Sequence, residues 1–178
     1  MPKIIGGARR MILDEARREL FAGGYDALNI RAVARGCAIA AGTVYNYFES
    51  KDILAASVML EDWQNALAAM KDETARAGSV DAGLFAIFDA IAAFRKPYEE
   101  IWESHGLSGA SQKKLFRERH ALLVAQIAAL VQPLLTRFGA EEGDYLPRFI
   151  AENILIASNG EYRFEETAAL IGRIIKEK

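Results

Sequence analysis

The sequence predicts an all-α protein, and three observations carry the prediction. Only four prolines (Pro2, Pro97, Pro133 and Pro147) interrupt 178 residues. Alanine is abundant and β-branched residues do not cluster, a composition that favours helix over sheet. Apolar residues recur at the i, i+3 and i+4 spacing of amphipathic helices. At 52% hydrophobic, the chain can bury one compact core, or a small module can be joined to a larger helical one.

The first helix is read from "ARRMILDEARRELFAGGY". Leu13, Ala16 and Leu20 share a face, with Ile12 and Phe21 beside them, and Gly23-Gly24 ends it because glycine accepts the left-handed conformation at a helix C-terminus. In "LNIRAVARGCA", Asn29 is the N-cap of a short second helix whose one face carries Ile30, Val33, Ala34 and Cys37. A third helix starts at Ala40 or Ala41 and ends around Phe48. Two short helices separated by three or four residues form a helix-turn-helix candidate.

The third helix lies in "GTVYNYFESKDIL", where Tyr45, Tyr47 and Phe48 do not share a stripe at 100° per residue. With Val44 and Phe48 turned inward, the opposite face is Gly42 and Asn46, flanked by Thr43 and Tyr45. That face offers bare backbone, two hydroxyls and an amide, so another surface can approach it closely. Ser50 caps the next helix. Lys51 falls in its first turn, where a cation opposes the helix dipole and a bound anion would offset the cost.

From about Arg9 to Leu54, roughly a quarter of the chain, the sequence resembles the DNA-binding domain of the tetracycline-repressor (TetR) family. "ILDEARRELFAGGYDALNIRAVA" is similar to that family's first two helices, and "GTVYNYFESKDIL" to its segment G-T-x-Y-x-Y/H-F-x-S-K-x-x-L. The turn departs from the family pattern: "CAIAAG" stands where "A-G-V-S-K-G" is common, with Ala38 at the turn glycine, Ala40 at the usual serine cap and Ala41 at a frequent lysine. The resemblance implies that Asn29, Thr43, Tyr45, Tyr47 and Lys51 contact phosphates. Gly42, Asn46 and Arg31 are then the candidates at base edges, phosphate contacts setting register and base contacts setting sequence.

Beyond residue 54 the chain has no repeat, low-complexity tract or evident linker. "ILAASVMLEDWQNALAAMKDE" places Met59, Trp63, Ala66 and Met70 in one stripe. Breaks follow at "ARAGS", near "RKP", at "HGLSG", at "FGAEEGD" and at Asn159-Gly160. The predicted helices are 51–73, 80–95, 97–105, 110–138, 144–159 and 164–177, with Pro97 and Pro147 in first turns and Pro133 kinking a long helix. Three helices plus six give about nine, as TetR-like architecture implies. Residues 1–52 are expected to form the DNA-binding domain, and 53–178 an effector-binding and dimerisation domain.

The family's second domain surrounds a ligand cavity. The resemblance therefore makes Met59, Trp63, Phe85, Phe88, Trp102, His105, Phe116 and His120 candidate lining residues for an apolar or aromatic effector, although each aromatic, taken singly, is more simply read as core. In "DYLPRFIAENILIASNGEYRFEETAALIGRIIKEK" apolar residues occupy more than one face, so the last two helices need two sets of partners. A two-fold dimer through Phe149, Ile150, Asn153, Ile154, Ala157, Leu170, Ile171 and Ile174 would supply the second set.

Bulk properties exclude several function classes. "MPKIIGGARR" has no apolar signal region, and no window approaches the about 18 uninterrupted apolar residues of a membrane span, so a soluble cytoplasmic protein without membrane contact is expected. Cys37 is the only cysteine and His105 and His120 stand 15 apart, leaving no evident ligand set for a structural metal. Neither a cofactor nor a catalytic residue is expected, since nucleophile–base pair, metal set and phosphate loop are all lacking. The net charge is −2, but residues 1–54 hold 8 Lys+Arg against 6 Asp+Glu (+2), leaving 14 against 18 (−4) for residues 55–178. This mild polarity fits an anion-facing module on an acidic body.

The expected function is that of a homodimeric repressor, not an enzyme. It would bind an inverted-repeat operator in double-stranded DNA and be released by a small, largely apolar effector. The alternative is a constitutive DNA-binding dimer with a filled core and no effector cavity.

Overall fold

Gly24, with φ 75° and ψ 179°, interrupts the first helix, α1 (Ala8–Ala27), where the sequence places its end, and one further turn follows. The computed structural model describes residues 7–103, 110–140, 143 and 145–175, and for 100, 102, 103, 110–119 and 161 the backbone alone. After α1 come α2 (Ile30–Gly36), α3 (Ala41–Tyr47), α4 (Lys51–Arg76), α5 (Val80–Glu103), α6 (Ala110–Arg137) and α7 (Tyr145–Ile156). A π-helical turn, Ala157–Glu161, and α8 (Phe164–Ile174) complete the order, with no strand among the described residues.

The chain forms two compact units. One comprises Met1–Gln64 and Lys96–Gly106, the other Asn65–Arg95 and Leu107–Lys178. In the first, the predicted face of α1 is core: Ile12, Leu13, Ala16 and Leu20 are buried together with Val33 and Ala34 of α2, Val44 and Phe48 at α3, and Leu54 and Val58 of α4. In the second, α6 and α7 make the most extensive helix pair. Its core includes Leu84, Ile87 and Ile91 of α5, Ile127 and Val131 of α6, and Ile150 and Ile154 of α7.

The segment expected to break near Pro97 does not break. Residues 80–103 form one helix with Pro97 inside it, so the described residues contain eight α-helices and the π turn where nine helices were predicted. A proline in a helix interior forfeits a hydrogen bond and costs about 3 kcal/mol. Here Ile87, Ile91 and Tyr98, at i, i+4 and i+11, are all buried, so a continuous apolar stripe carries the helix across the proline. Pro133 is likewise accommodated within α6, between buried Val131 and Leu134. Pro147 lies in the first turn of α7 as predicted, and Gly160 (φ 81°) closes the π turn at the predicted Asn159-Gly160 stop.

The ends of α4 are both held. Ser50 Oγ accepts from the Ile53 N–H (3.2 Å), while the Arg137 guanidinium of α6 donates to the carbonyls of Thr74, Ala75 and Ala77 at 2.9, 2.6 and 2.7 Å. Those bonds satisfy carbonyls that a helix C-terminus leaves open, and the cation suits the negative end of the dipole.

Contrary to the sequence expectation, His120–Arg137 of α6 is long and apolar enough to cross a membrane by length and composition, with mean hydropathy 1.2. A core helix passes the same test. Val124, Ile127, Val131, Leu134 and Leu135 of this segment are buried within the fold.

Candidate nucleic-acid interface

Asn29 is extended (φ −136°, ψ 120°), and its Oδ1 accepts from the backbone N–H of Arg31 (2.8 Å) and Ala32 (3.4 Å). It is the predicted N-cap of α2, and its exposed position beside exposed Arg31 leaves both at the protein surface. The turn after α2 is closed by two backbone bonds, Ala38 N–H to the Arg35 carbonyl and Ile39 N–H to the Ala34 carbonyl, each 3.0 Å. This is a Schellman pair, and its left-handed residue is Ala38 (φ 54°).

An alanine in that region costs about 1–2 kcal/mol relative to its helical conformation, and glycine escapes the penalty at an entropic cost of about 0.4–1 kcal/mol in the unfolded chain. Ala38→Gly is therefore expected to stabilise the protein by about 0.5–1 kcal/mol. A shift of the urea midpoint to higher concentration at unchanged m-value would confirm it, and a lower midpoint would refute the strain.

Ala40 provides no side-chain cap, so α3 starts with the Thr43 N–H bonded to the Ala40 carbonyl at 2.9 Å. Val44 and Phe48 point inward and are buried. Gly42, Tyr45 (51% exposed) and Asn46 are exposed, with Thr43 half-buried beside them. A Cβ on Gly42 would meet no atom within 4 Å. The protein's own packing thus places no demand on glycine there, and the free space lies on the surface of α3.

Tyr47 departs from its assigned place. The residue is half-buried, and its hydroxyl is buried without a hydrogen-bond partner among the described residues. A buried unsatisfied hydroxyl costs about 1–3 kcal/mol, which a rotation toward an acceptor would recover.

Lys51 is half-buried, and its position against the α4 dipole is compensated inside the protein. Its Nζ donates to the Asp26 carbonyl at the end of α1 (3.2 Å) and lies 4.3 Å from the centroid of the Tyr25 ring. An anion is therefore not required to explain it, which corrects the sequence reading. The Arg9 guanidinium lies over the Phe48 ring at 5.6 Å from its centroid, so it too belongs to this unit's cationic surface.

Cys37 is a core thiol. Its Sγ donates to the Met11 carbonyl (3.4 Å), and burial, followed by the carboxylates of Glu15, Asp14 and Glu19, pushes its pKa above the ordinary thiol value, so thiolate is disfavoured.

The candidate cavity residues that are described fall in both units. Met59 (half-buried) and Trp63 (buried) belong to the first unit, Phe85, Phe88 and His120 to the second. Phe85 stacks on Phe88 (6.5 Å), and both rings meet Phe164 of α8 at 5.1 and 5.2 Å, a partner that sequence reasoning missed because it lies far along the chain. His120 Nε2 lies 2.6 Å from Glu152 Oε1 on α7. His105 and the side chains of Trp102 and Phe116 lie outside the described residues.

The candidate interface residues divide in two. Ile150, Ile154, Ala157 and Ile171 are buried within the chain, so their apolar faces are already covered, and Asn153 turns its amide back to the Phe149 carbonyl at 2.7 Å. Leu170 (60% exposed) and Ile174 (40%) stay at the surface. Phe149 and Ile174 line an open groove of about 320 Å³ with Leu146 and Tyr145, the last 78% exposed.

Residues 12–58 match the family "Bacterial regulatory proteins, tetR family". The HTH-type transcriptional regulator UidR of Escherichia coli (strain K12) is 34% identical over 64 residues, 36% of this chain and 33% of UidR, so the match spans about a third of that relative's length. Among solved structures, the transcriptional regulator FadR of Bacillus subtilis in complex with stearoyl-CoA superposes with a TM-score of 0.57 at 13% identity, covering 95% of this chain and 98% of FadR. A cysteine mutant of the TetR-family regulator CifR, complexed with 26-base-pair double-strand operator DNA, gives 0.55 at 17% identity and 98% coverage of both chains. At these identities the structural likeness is one of fold.

Proposed function

We propose that this chain, whose residues 12–58 match the tetR family of bacterial regulatory proteins, is a cytoplasmic transcriptional repressor of that family and not an enzyme. It binds an inverted-repeat operator as a homodimer and is released by a small, largely apolar effector. Residues 1–52 engage the DNA, and 53–178 bind the effector and dimerise. The observation that carries this reading is the exposed face of α3, where Gly42, Thr43, Tyr45 and Asn46 present hydroxyls, an amide and bare backbone that the fold does not use. A helix so faced can enter a major groove, with Gly42, Asn46 and Arg31 toward base edges.

Asn29, Thr43, Tyr45 and Lys51 then fix register on phosphates, and Tyr47 joins them once its hydroxyl turns outward. The effector reading is supported by the fold shared with FadR, which was solved with stearoyl-CoA. Met59, Trp63, Phe85, Phe88, Trp102, His105, Phe116 and His120 remain its candidate contacts.

Lys51→Ala tests the DNA reading. It is expected to weaken binding nearly equally for all duplex sequences and to reduce the magnitude of the slope of log K against log[salt] by about one. Because Lys51 also holds the Asp26 carbonyl, thermal unfolding of the variant is measured alongside. A loss confined to one operator sequence would contradict the phosphate role.

A further inference from the structure

One carboxylate ties three helices together in the first unit. Asp62 of α4 accepts from Arg17 Nε of α1 at Oδ1 (2.8 Å) and from the Tyr98 hydroxyl of α5 at Oδ2 (2.6 Å). Arg17 also donates to Glu61 Oε2 (2.6 Å) and to Asp14 Oδ1 (2.9 Å). Tyr98 is 5% exposed, and its ring meets Phe21 of α1 edge-on at 5.2 Å. Tyr98 therefore touches α1 through its ring and α4 through its hydroxyl. Burial, then the hydrogen bond to Asp62, holds its phenol far above the ordinary tyrosine pKa, so it stays a donor at every physiological pH.

The position of Tyr98 in α5 gives this arrangement its direction. The helix contributes Val80–Arg95 to the second unit and passes into the first at Lys96. Pro97 follows at once and cannot donate the hydrogen bond that its turn requires, which makes this the most easily bent point of α5. A bend there moves Tyr98, the next residue, while the α4 and α1 sides of the junction are held by the two-pronged Arg17 contact. Since α2 packs on α1 and α3 on α2, the pose of the recognition face relative to α4 depends on that junction.

We propose that Tyr98 is a positioning residue for DNA binding: its hydroxyl, through Asp62, latches α1 to α4 in the DNA-competent arrangement, and bending of α5 at Pro97 opens the latch. This rests on the DNA-binding function proposed above. The variant Tyr98→Phe keeps the ring and its contact with Phe21 and removes only the hydroxyl. The probe is a duplex selected by the wild-type protein from a library randomised over about 30 base pairs, room for two half-sites.

Tyr98→Phe is expected to weaken binding to this duplex about fivefold or more, the lower end of ordinary coupling between sites. In an Asp62→Asn background the same change should cost less than about twofold, because contacts acting through one group are not additive. Arg17→Lys, which keeps the charge but loses the two-pronged geometry, is expected to weaken binding as well. Binding by Tyr98→Phe within about twofold of wild type, or an equal loss in both backgrounds, overturns the latch.

Amide hydrogen exchange separates failure of the latch from failure of the DNA-binding reading. In Tyr98→Phe, the amides of residues 16–20 of α1 should exchange faster than in wild type, with or without DNA. If the wild-type protein selects no duplex, the DNA-binding reading falls, and exchange alone decides the latch: unchanged rates in α1 overturn it.

Discussion

Phe149→Glu combined with Leu170→Glu will convert the protein to a monomer and reduce operator affinity by about three orders of magnitude, within the range by which linking two sites raises affinity without new contacts. Phe149 of α7, which shares a groove with Tyr145 and Ile174, and Leu170 of α8, one helical turn before Ile174, are apolar residues of the proposed interface that the chain leaves partly or largely uncovered. In a two-fold interface each residue near the axis meets its own copy or a close neighbour of it, so each glutamate faces like charge in a patch that must lose water. Both penalties act on association, and the cost to folding is confined to the half-buried Phe149 ring and its contact with Tyr145. The α7 and α8 core residues Ile150, Ile154 and Ile171 are not touched.

The variant should therefore keep its helical circular dichroism and unfold cooperatively, while sedimentation shows half the wild-type mass. Binding to an isolated half-site should change little. A wild-type monomer at micromolar concentration, or a glutamate double variant that remains dimeric, would place the interface elsewhere.

Sequence periodicity could read the α7–α8 surface only in part, and the reason is physical. Periodicity reports that a face is apolar but not which molecule covers it, so Ile150 and Ile154, satisfied within the chain, were grouped with Leu170, which is not. The proposed DNA-facing module is far more legible, because its signals are local. Asn29 caps within three residues, Gly24 terminates by its own φ, and Val44 and Phe48 are separated by one helical turn.

Interactions between distant residues left no such trace. The Arg17–Asp62 bond spans 45 residues and the Tyr98–Asp62 bond 36, and Lys51 finds the carbonyl of Asp26 across 25. Pro97 misled for a related reason: its local preference to end a helix lost to the burial of Ile91 and Tyr98 on either side.

An apolar ligand occupying the proposed effector domain is expected to weaken operator binding by about 5–150-fold at saturation, with α4 as the proposed route. This helix has 26 residues, Lys51–Arg76, with neither glycine nor proline among them, so it spans about 39 Å without an intrinsic break. Lys51 at one end is the proposed phosphate contact. At the other end, Arg137 fixes three carbonyls of the last turn and the residue beyond it.

The proposed route requires that a displacement of that clamped end pass along α4, whose bending costs several hydrogen bonds, and change the separation of the two recognition faces of the proposed dimer. Two major-groove faces one turn apart, about 34–36 Å, tolerate little such change. For the ligand to act it must bind the DNA-incompetent arrangement better than the competent one, and linkage then requires operator DNA to weaken ligand binding by the same factor. Ala68 and Ala69 of α4 are both exposed, so replacing them removes no core contact. Softening the rod with Ala68→Gly and Ala69→Gly, about 1 kcal/mol each in a helix interior, should reduce that factor while leaving ligand affinity without DNA nearly unchanged. Calorimetry of the ligand with and without operator, on the wild-type and the softened protein, reads all of these quantities. Operator affinity that stays constant at ligand saturation would leave a constitutive DNA-binding dimer, and an unchanged coupling factor in the glycine variant would remove α4 from the route.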